Sequence, residues 1–317
     1  MDHVPVLEEA AVNALNVRAE GTYLDATFGR GGHARRVLDH LGPGGLLIAL
    51  DADPEAIAFG MREFGSDTRL KLVRCNFREL GAVVRELAPD AGVDGILMDL
   101  GVSSPQLDCP HRGFSFRHDG PLDMRLDPDA GVSAADWLAE VEEARLVEVL
   151  FELGEEKFSR RIARAIVAAR QTDPVRTTGA LAALIEKAVP AGASRNSRIH
   201  PATRTFQAIR IAVNAELDAL DEALHAAIDS LAPGGRLVVI SFHSLEDRRV
   251  KRAIRDAASA PPASRRMPSA PSFSPRMKPI GKLVRPTVQE ESSNPRARSA
   301  RMRVSERLAD APAGGAT

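Results

Sequence analysis

The stretch Asp25-Ala-Thr-Phe-Gly-Arg-Gly-Gly-His33 decides the fold of this chain. Residues 21–24 before it predict a short β-strand, and residues 34–41 after it carry apolar side chains at helical spacing. Glycines allow a tight turn and let backbone N–H groups approach a ligand closely. The strand, the glycine turn and the helix therefore predict the first unit of a nucleotide-binding α/β fold.

Three further apolar runs continue the same pattern. Residues 46–51 end in an acid about twenty residues after the turn, where a carboxylate can accept hydrogen bonds from both hydroxyls of a ribose. Residues 70–76 and 93–100 predict the third and fourth strands. Alternating strands and helices predict a doubly wound, mostly parallel sheet, whose ligands bind at the carboxyl ends of the strands. The residues expected at these ends are Asp25, Asp51, Phe77 and Asp99.

Two cofactors compete for the glycine turn. The spacing Gly29-x-Gly31-x-x-Ala34 fits the dinucleotide fingerprint, and it also fits sites for S-adenosyl-L-methionine (SAM). The carboxylate of Asp25 would repel a pyrophosphate but attract the cationic sulfonium and ammonium groups of SAM. The sequence thus favours SAM, with an NAD-binding oxidoreductase as the alternative. Asp25 acting only as a cap of the turn is the structural alternative.

Composition limits the class of protein. A chain of 317 residues holds one large domain or two ordinary ones. No apolar run approaches the roughly 18 residues of a membrane span, and the start Met1-Asp2-His3 lacks a basic signal region. Cys75 and Cys109 are too few for a disulfide framework or a zinc site. We expect a cytoplasmic protein with reduced thiols, no metal site and no membrane association.

Charge is distributed unevenly along the chain. Residues 248–307 hold sixteen Lys and Arg against four Asp and Glu, a net charge of +12. Since the whole chain has a net charge of −1, the remaining residues carry a net charge of −13. This asymmetry indicates contact with nucleic acid. A solvated, mobile loop is the alternative for residues 260–286, which are rich in Pro and Ser.

The domain organisation follows from where the strand pattern stops. Residues 108–203 contain no clear strand, and the segments at 134–153, 156–170 and 180–189 predict helices. We therefore expect a helical insertion at 108–203, a substrate-binding domain, within a sheet domain formed by 1–107 and 204–317. The sheet domain is expected to resume with a helix over 206–231, a strand over 236–242 and a late edge strand over 300–304.

The end of the fourth strand is the expected position of the methyl acceptor. An exocyclic amine has its lone pair delocalised into its ring, so the site needs groups that accept its N–H bond and its proton. The candidates are Asp99, Ser103 and Ser104, together with the carbonyls beside Pro105. A strand-to-loop turn with hydroxyl caps is the alternative.

Two histidines and one arginine have open roles. His33 and His243 are candidate bases; a hydrogen bond to ligand or backbone is the alternative for His33, and a structural role at a strand end is the alternative for His243. Arg204 is a candidate phosphate ligand, with a salt bridge to an acidic group as the alternative.

Nearly the whole chain resembles the bacterial 16S ribosomal RNA (cytosine-N4) methyltransferase family. The segments that carry the resemblance are Asp25 to His33, Asp99 to Asp108, Arg112 to Arg117, Gly120 to Arg125, His200 to Gln207, Ser241 to Asp247 and Asn294 to Ser299. The resemblance implies a Rossmann-like domain with an inserted helical domain, SAM as methyl donor, and a cytosine of the decoding region of the small ribosomal subunit as acceptor.

The matching motifs also imply roles for single residues. The implied SAM contacts are Gly31, Gly32, His33, Asp51, Phe77, Asp99 and Gln106, to which the charge argument adds Asp25. Arg204, His243, Arg296 and Arg298 are the expected contacts to the RNA. A DNA amino methyltransferase and a non-catalytic RNA-binding module remain as alternatives, and a dimer is compatible with the sequence.

Overall fold

The computed structural model describes residues 5–90, 92–190, 199–260 and 273–309. Its strands are β1 (Thr22–Asp25), β2 (Leu46–Asp51), β3 (Leu70–Arg74), β4 (Val93–Asp99), β5 (Leu231–Ser241), β6 (Met277–Val284) and β7 (Arg301–Arg307). The helices before β5 are α1 (Glu8–Leu15), α2 (Gly32–His40), α3 (Pro54–Phe64), α4 (Leu80–Leu87), α5 (Ser104–Asp108), α6 (Ala134–Glu140), α7 (Glu143–Glu152), α8 (Ser159–Arg170), α9 (Thr178–Ala188), α10 (Ala202–Asn214) and α11 (Glu216–Ser230). After β5 come α12 (Ser244–Ala258) and α13 (Val288–Ser293).

All seven strands form one sheet in the order β3-β2-β1-β4-β5-β7-β6. The pairs from β3 through to β5 are parallel, whereas β7 is antiparallel to both β5 and β6. The order departs from the dinucleotide-binding order 3-2-1-4-5-6 by placing β7 between β5 and β6. The predicted doubly wound, mostly parallel sheet is confirmed.

Each face of the sheet has its own apolar core, because successive side chains of a strand point to opposite faces. Tyr23 and Leu97 belong to the core that also contains Leu15 of α1 and Val37 of α2. Their neighbours along the strands lie in the second core, with residues of α4, α11 and α12. Strands buried on both faces have almost continuous apolar sequences, which explains why β2 and β4 were readable from the sequence.

Contacts divide the chain into two compact units. The first, the sheet unit, comprises Met1–Gly101 and Asp218–Thr317, and the second, the helical unit, comprises Val102–Leu217. The predicted insertion at 108–203 lies wholly within the helical unit, which also contains α5 and α10.

The helical unit is built around a core of its own. Side chains of α6 to α10 form it, including Leu138, Leu146, Ile162, Ile185 and Ile209. A second packing motif stacks Phe116 on the His200 ring at 4.4 Å, with Phe206 edge-on to Phe116 at 5.0 Å. In the described residues the only β pairing of this unit is one isolated bridge, between Pro121 and Thr177.

Two predicted helices are each divided in the structure. The helix expected over 134–153 is α6 and α7, which meet at Val141 and Glu142. The helix expected over 206–231 is α10 and α11, separated by Ala215 in the left-handed conformation at φ 46°. Neither break has a Gly or Pro to mark it, so the apolar periodicity runs through both.

The last two strands differ from the sequence expectations: β6 was not predicted, and the strand predicted at 300–304 is present but is not an edge strand. A strand, β6, lies in the segment for which a mobile loop was the alternative, and residues 261–272 of that segment lie outside the described part. The expected edge strand at 300–304 is β7, which lies inside the sheet between β5 and β6. Most β6 side chains are exposed, so it lacks the apolar run of a central strand.

Gly31 is expected to be intolerant of any side chain. Its φ is +69°, and a Cβ would lie 2.7 Å from the Phe64 ring and 2.8 Å from the Phe28 ring. Gly31→Ala should lower the free energy of unfolding by about 2–4 kcal/mol, through left-handed strain and overpacking. Gly234 has φ +81° with nothing within 4 Å of a Cβ, so Gly234→Ala measures the strain alone. Urea unfolding of both variants tests this, and equal losses would contradict the packing contribution.

Candidate functional site

The acids predicted at the strand ends do share one edge of the sheet. β1 pairs in parallel with β2 on one side and with β4 on the other. The glycine turn that follows β1 therefore lies between the ends of β2 and β4. Asp25, Asp51 and Asp99 are the last residues of these three strands.

Asp51 holds the glycine turn through its carboxylate. One oxygen accepts the N–H of Gly29 at 2.7 Å, and the other accepts the N–H of Asp53 at 2.8 Å. Burial raises the pKa of Asp51 to about 6, although both N–H donors act to lower it. Each oxygen keeps acceptor capacity for a further donor, as contact with a ribose requires.

Thr27, which was not selected as a site residue from the sequence, connects the ends of β1 and β4. Its hydroxyl oxygen accepts the backbone N–H of Asp99 at 2.7 Å. Its own N–H donates to Oδ1 of Asp25 at 3.0 Å. The only signal in the sequence is a hydroxyl residue placed inside the glycine turn. Thr27 thereby holds the carboxylate of Asp25 and the backbone of Asp99.

His33 lies beneath the same edge, in the first turn of α2. Its Nε2 atom is 3.5 Å from Oδ2 of Asp99, and its side chain is 6% exposed. Burial alone would lower the pKa of His33, but the carboxylates of Asp99 and Asp25 raise it above its ordinary value. Burial raises the pKa of Asp25 to about 6, and the charge of His33 opposes that rise. The cluster therefore contains two carboxyl groups and one imidazole, an excess of acidic groups that suits a cationic ligand.

Several buried polar atoms of this cluster lack a hydrogen-bond partner within the described residues. They are Oδ2 of Asp25, Oδ1 of Asp99 and both ring nitrogens of His33. Buried carboxylate oxygens without donors are costly unless a ligand supplies positive charge or N–H groups. The Asp99 side chain is 23% exposed, so a ligand can contact it directly. Asp25 is 2% exposed, so it can attract a cationic ligand only through its charge. These residues fit a cationic ligand such as SAM.

The glycines and Phe77 have packing roles in the structure. A Cβ on Gly32 would overlap the ring of Pro5, just as one on Gly31 would strike two aromatic rings. Phe77 begins a short 3₁₀ helix that is closed by a capping box of Asn76 and Glu79. Its half-buried ring packs against the core on the α4 side. Stacking on an adenine remains a prediction for this side chain.

The remaining predicted residues after β4 belong to the helical unit and are described within it. Ser103 caps α5 in a capping box, in which its own N–H donates to Oε1 of Gln106 at 2.8 Å. Ser104 is buried at the first position of α5. Ser103 therefore has the role that the sequence analysis gave as the alternative to catalysis, a hydroxyl that caps the turn after β4. Catalysis by Ser103 or Ser104 and SAM contact by Gln106 stay predictions.

The four predicted RNA contacts fall in both units. In the helical unit, Arg204 donates to the backbone carbonyl of Glu155 at 3.2 Å, rather than to an acidic side chain. In the sheet unit, His243 is the N-cap of α12, paired with Glu246 in a capping box. Arg296 and Arg298 lie in the 3₁₀ turn Pro295–Ser299, where Arg298 is exposed. RNA binding by these residues stays a prediction.

Asp247 was inside a recognised segment but had no assigned role. It accepts hydrogen bonds from Arg303 at 2.6 Å and from Arg301 at 3.2 Å. Burial would raise the pKa of Asp247, but these two arginines hold it below its ordinary value. The ion-pair cluster joins α12 to β7 and so stabilises the antiparallel part of the sheet.

Two other kinds of feature are absent from the described parts of the chain. None of the helices there has the length and apolar composition of a membrane span. No group of three or more His, Cys, Asp or Glu side chains there is arranged to hold a metal ion.

A Rossmann-like sheet with carboxylates at the ends of β1, β2 and β4 around a glycine turn defines a SAM-dependent methyltransferase. Within that class, the model of the MraW methylase family matches residues 1–308. The chain belongs to the MraW methylase family, and its cofactor is SAM. The predicted resemblance to a methyltransferase family is confirmed, and the alternative of an NAD-binding oxidoreductase is wrong.

Individual relatives cover almost the whole chain. "Ribosomal RNA small subunit methyltransferase H" of Xanthomonas euvesicatoria is 56% identical over 306 residues, which are 96% of this chain and 89% of the relative. The protein of the same name from Xylella fastidiosa strain M12 is 55% identical over 311 residues, 97% of this chain and 98% of the relative. Among solved structures, an rRNA methylase from Streptococcus thermophilus aligns with a TM-score of 0.41 and 13% identity, covering 98% of this chain and 99% of its own.

SAM affinity is expected to fall at acid pH. The pKa values of Asp25 and Asp51 are about 6, and a bound cation favours their ionised forms. Below that pH, affinity should fall by about tenfold per pH unit for each protonated carboxylate, and above about pH 7 it should be constant. Titration calorimetry at several pH values measures this.

The stability of the free protein should change in the opposite direction. Because both pKa values lie above the ordinary value of 3.8, the folded chain binds more protons than the unfolded chain between about pH 4 and 6. Its stability should decline as pH rises through that interval. SAM affinity that increased toward acid pH would contradict a requirement for ionised Asp25 near the cation and ionised Asp51 at the ribose hydroxyls.

Proposed function

We propose that this protein transfers the methyl group of SAM to the exocyclic N4 amine of one cytosine in the decoding region of 16S rRNA. The observation that carries the proposal is the carboxylate of Asp99, which is partly exposed and has one oxygen without a hydrogen-bond partner. Relatives that are 55–56% identical over most of the chain are named small subunit rRNA methyltransferases, which supports rRNA as the substrate.

The residues that would hold SAM follow from the chemistry of each group. When bound, SAM supplies an electrophilic methyl group on a cationic sulfur. Asp51 is proposed to accept the ribose hydroxyls, since its two oxygens are already oriented by the N–H groups of Gly29 and Asp53. Asp25 contributes negative charge from beneath the site, and Phe77 is proposed to border the adenine.

Asp99 is proposed to act on the acceptor amine. Its carboxylate accepts one N–H bond of the amine, which orients the nitrogen and returns electron density to its lone pair. Formation of the new N–C bond would be balanced by cleavage of the bond from the methyl group to the donor sulfur, which keeps the electron pair. The nitrogen would release one proton, and Asp99 is proposed to receive it. The Nε2 atom of His33 lies 3.5 Å from Oδ2 of Asp99 and helps to hold the carboxylate in place. Ser103 is the weaker candidate because its hydroxyl already accepts a backbone N–H as a helix cap.

Exposed cations in the sheet unit support an RNA substrate. Lys278, Lys282 and Arg285 are exposed on or just after the edge strand β6, and none of them forms an ion pair with the described residues. Cations of this kind contact phosphates without reading sequence. A cytosine amine can be methylated only when its base is unstacked, so a single-stranded or opened region is the expected target.

The test is methyl transfer from radiolabelled SAM to four substrates: 16S rRNA, assembled 30S subunits, single-stranded DNA of the same sequence, and 16S rRNA with the target cytosine replaced by uridine. Label on one decoding-region cytosine of an RNA substrate, absent from the uridine-substituted RNA, is the expected result. Label on DNA alone, or on the uridine-substituted RNA, would overturn the proposed acceptor. Intact SAM binding without transfer to any substrate would also overturn it while leaving the cofactor unaffected.

A further inference from the structure

The helical unit carries a row of exposed cations on one side of α8. Lys157 lies just before the helix, and Arg160, Arg161 and Arg164 lie on it. The spacing of these four residues, i, i+3, i+4 and i+7, places them on one helical face. All four are exposed, whereas Ile162, Ala163 and Ile166 of the same helix are buried in the core. We refer to these four cations as the α8 basic face.

None of the four cations of the α8 basic face forms an ion pair or hydrogen bond with the described residues. Other arginines of the same unit are engaged. Arg145 pairs with Glu148 at 2.6 Å, and Arg210 pairs with Glu216 at 2.8 Å. Arg170, at the end of α8 itself, donates to the carbonyls of Leu138 and Val141. Several arginines of the unit are thus engaged, whereas four cations without such partners lie together on the α8 basic face.

The position of these cations is unfavourable for the helix that carries them. Arg160 and Arg161 lie in the first turn of α8, where there is no acidic side chain. The amino end of a helix carries partial positive charge, so cations there destabilise the helix. Four neighbouring cations also repel one another. An array that folding does not favour and that no acid in the described chain neutralises is complementary to an external polyanion.

We infer that the α8 basic face binds the phosphate backbone of the substrate RNA, giving the helical unit its own RNA contact. The inference rests on the proposed rRNA substrate. Guanidinium groups spaced along a helix match consecutive phosphates, and such contacts add affinity without selecting sequence. The face therefore increases the affinity for RNA and takes no part in the chemical step.

The test compares two variants with equal changes in net charge. Arg160→Gln/Arg161→Gln/Arg164→Gln removes the arginines of the face. Arg62→Gln/Lys71→Gln/Arg145→Gln removes three exposed cations from other elements. Affinity for 16S rRNA is measured by fluorescence anisotropy at several salt concentrations, together with SAM affinity and the kcat and KM of methyl transfer.

The variant that lacks the three arginines should bind RNA on the order of tenfold or more weakly. Its slope of log K against log salt concentration should become less steep by about two to three. Its KM for RNA should rise with kcat and SAM affinity unchanged, and the control variant should behave as wild type. Its melting temperature should not fall, because the removed cations oppose the helix dipole.

Two different results would overturn the inference, and they can be distinguished from each other. Equal RNA affinity and salt dependence in the two variants, with methyl transfer to rRNA intact in the wild type, would remove the α8 contact and leave the proposed function. Failure of the wild type to bind or methylate rRNA would remove the proposed function and this inference together.

Discussion

Replacement of Asp99 by asparagine is expected to lower kcat for methyl transfer by about 100- to 10,000-fold, the range of general acid–base catalysis. An amide of the same shape preserves packing at the end of β4, but it cannot receive the proton that the amine releases. Its NH₂ group also presents donors where the substrate amine needs an acceptor. The affinity for SAM should change much less than kcat, since Asp25 retains its negative charge.

Asp94→Asn is the matched control for this substitution. Asp94 lies on the same strand, where it pairs with Arg18 and accepts the N–H of Thr22. Its loss should lower the melting temperature without changing kcat. Single-turnover transfer from radiolabelled SAM, with a separate SAM titration, measures both variants. An Asp99→Asn rate close to that of the wild type would move the proton acceptor elsewhere, with Ser103 and Ser104 as the next candidates.

Replacement of Asp51 by asparagine is expected to weaken SAM binding by about 100-fold. The two oxygens of Asp51 accept two separate backbone N–H groups, at 2.7 and 2.8 Å. An asparagine has only one oxygen, so its NH₂ must face one of these donors. A buried donor without an acceptor costs about 1–3 kcal/mol, and the hydrogen bonds to the ribose weaken in addition. The glycine turn should therefore shift in the free protein.

Asp53→Asn is the control for that experiment. Asp53 is the N-cap of α3, where its side chain accepts the N–H of Glu55, and asparagine is an equally good N-cap. SAM titration calorimetry should show a large loss for Asp51→Asn and a change of less than about threefold for Asp53→Asn. A similar loss in both variants would indicate a general loosening of the loop after β2 and would contradict a specific role for Asp51.

The parallel part of the sheet could be predicted because its signal is local. Strands β1 to β4 are short apolar runs, and three of them end in an acid at the edge where ligands bind. Burial of β2 and β4 on both faces demands apolar residues at nearly every position, so their pattern is visible without knowledge of the partners. The N-cap at Asp53 followed by Pro54 was equally visible, because capping depends on neighbouring residues only.

The antiparallel part of the sheet could not be predicted in the same way. β6 is mostly exposed and contains Pro279 and two lysines, so it resembles a loop. It is a strand because it pairs with β7, and β7 is in turn held against α12 by Asp247 with Arg301 and Arg303. These partners are 54 and 56 residues apart in sequence. The apolar pattern of a segment contains no information about such a partner.

The sequence by itself determined the class of fold, the cofactor and the carboxylates at the strand ends, because each depends on residue type and short spacing. Only the tertiary structure decided how these groups act together. Thr27 joins Asp25 to Asp99, His33 lies against Asp99, and the shared burial raises the pKa values of Asp25 and Asp51. Hydrogen bonds between strand ends and the low dielectric of a buried cluster arise only when distant segments of the chain meet. They therefore cannot be read from a local pattern of residues.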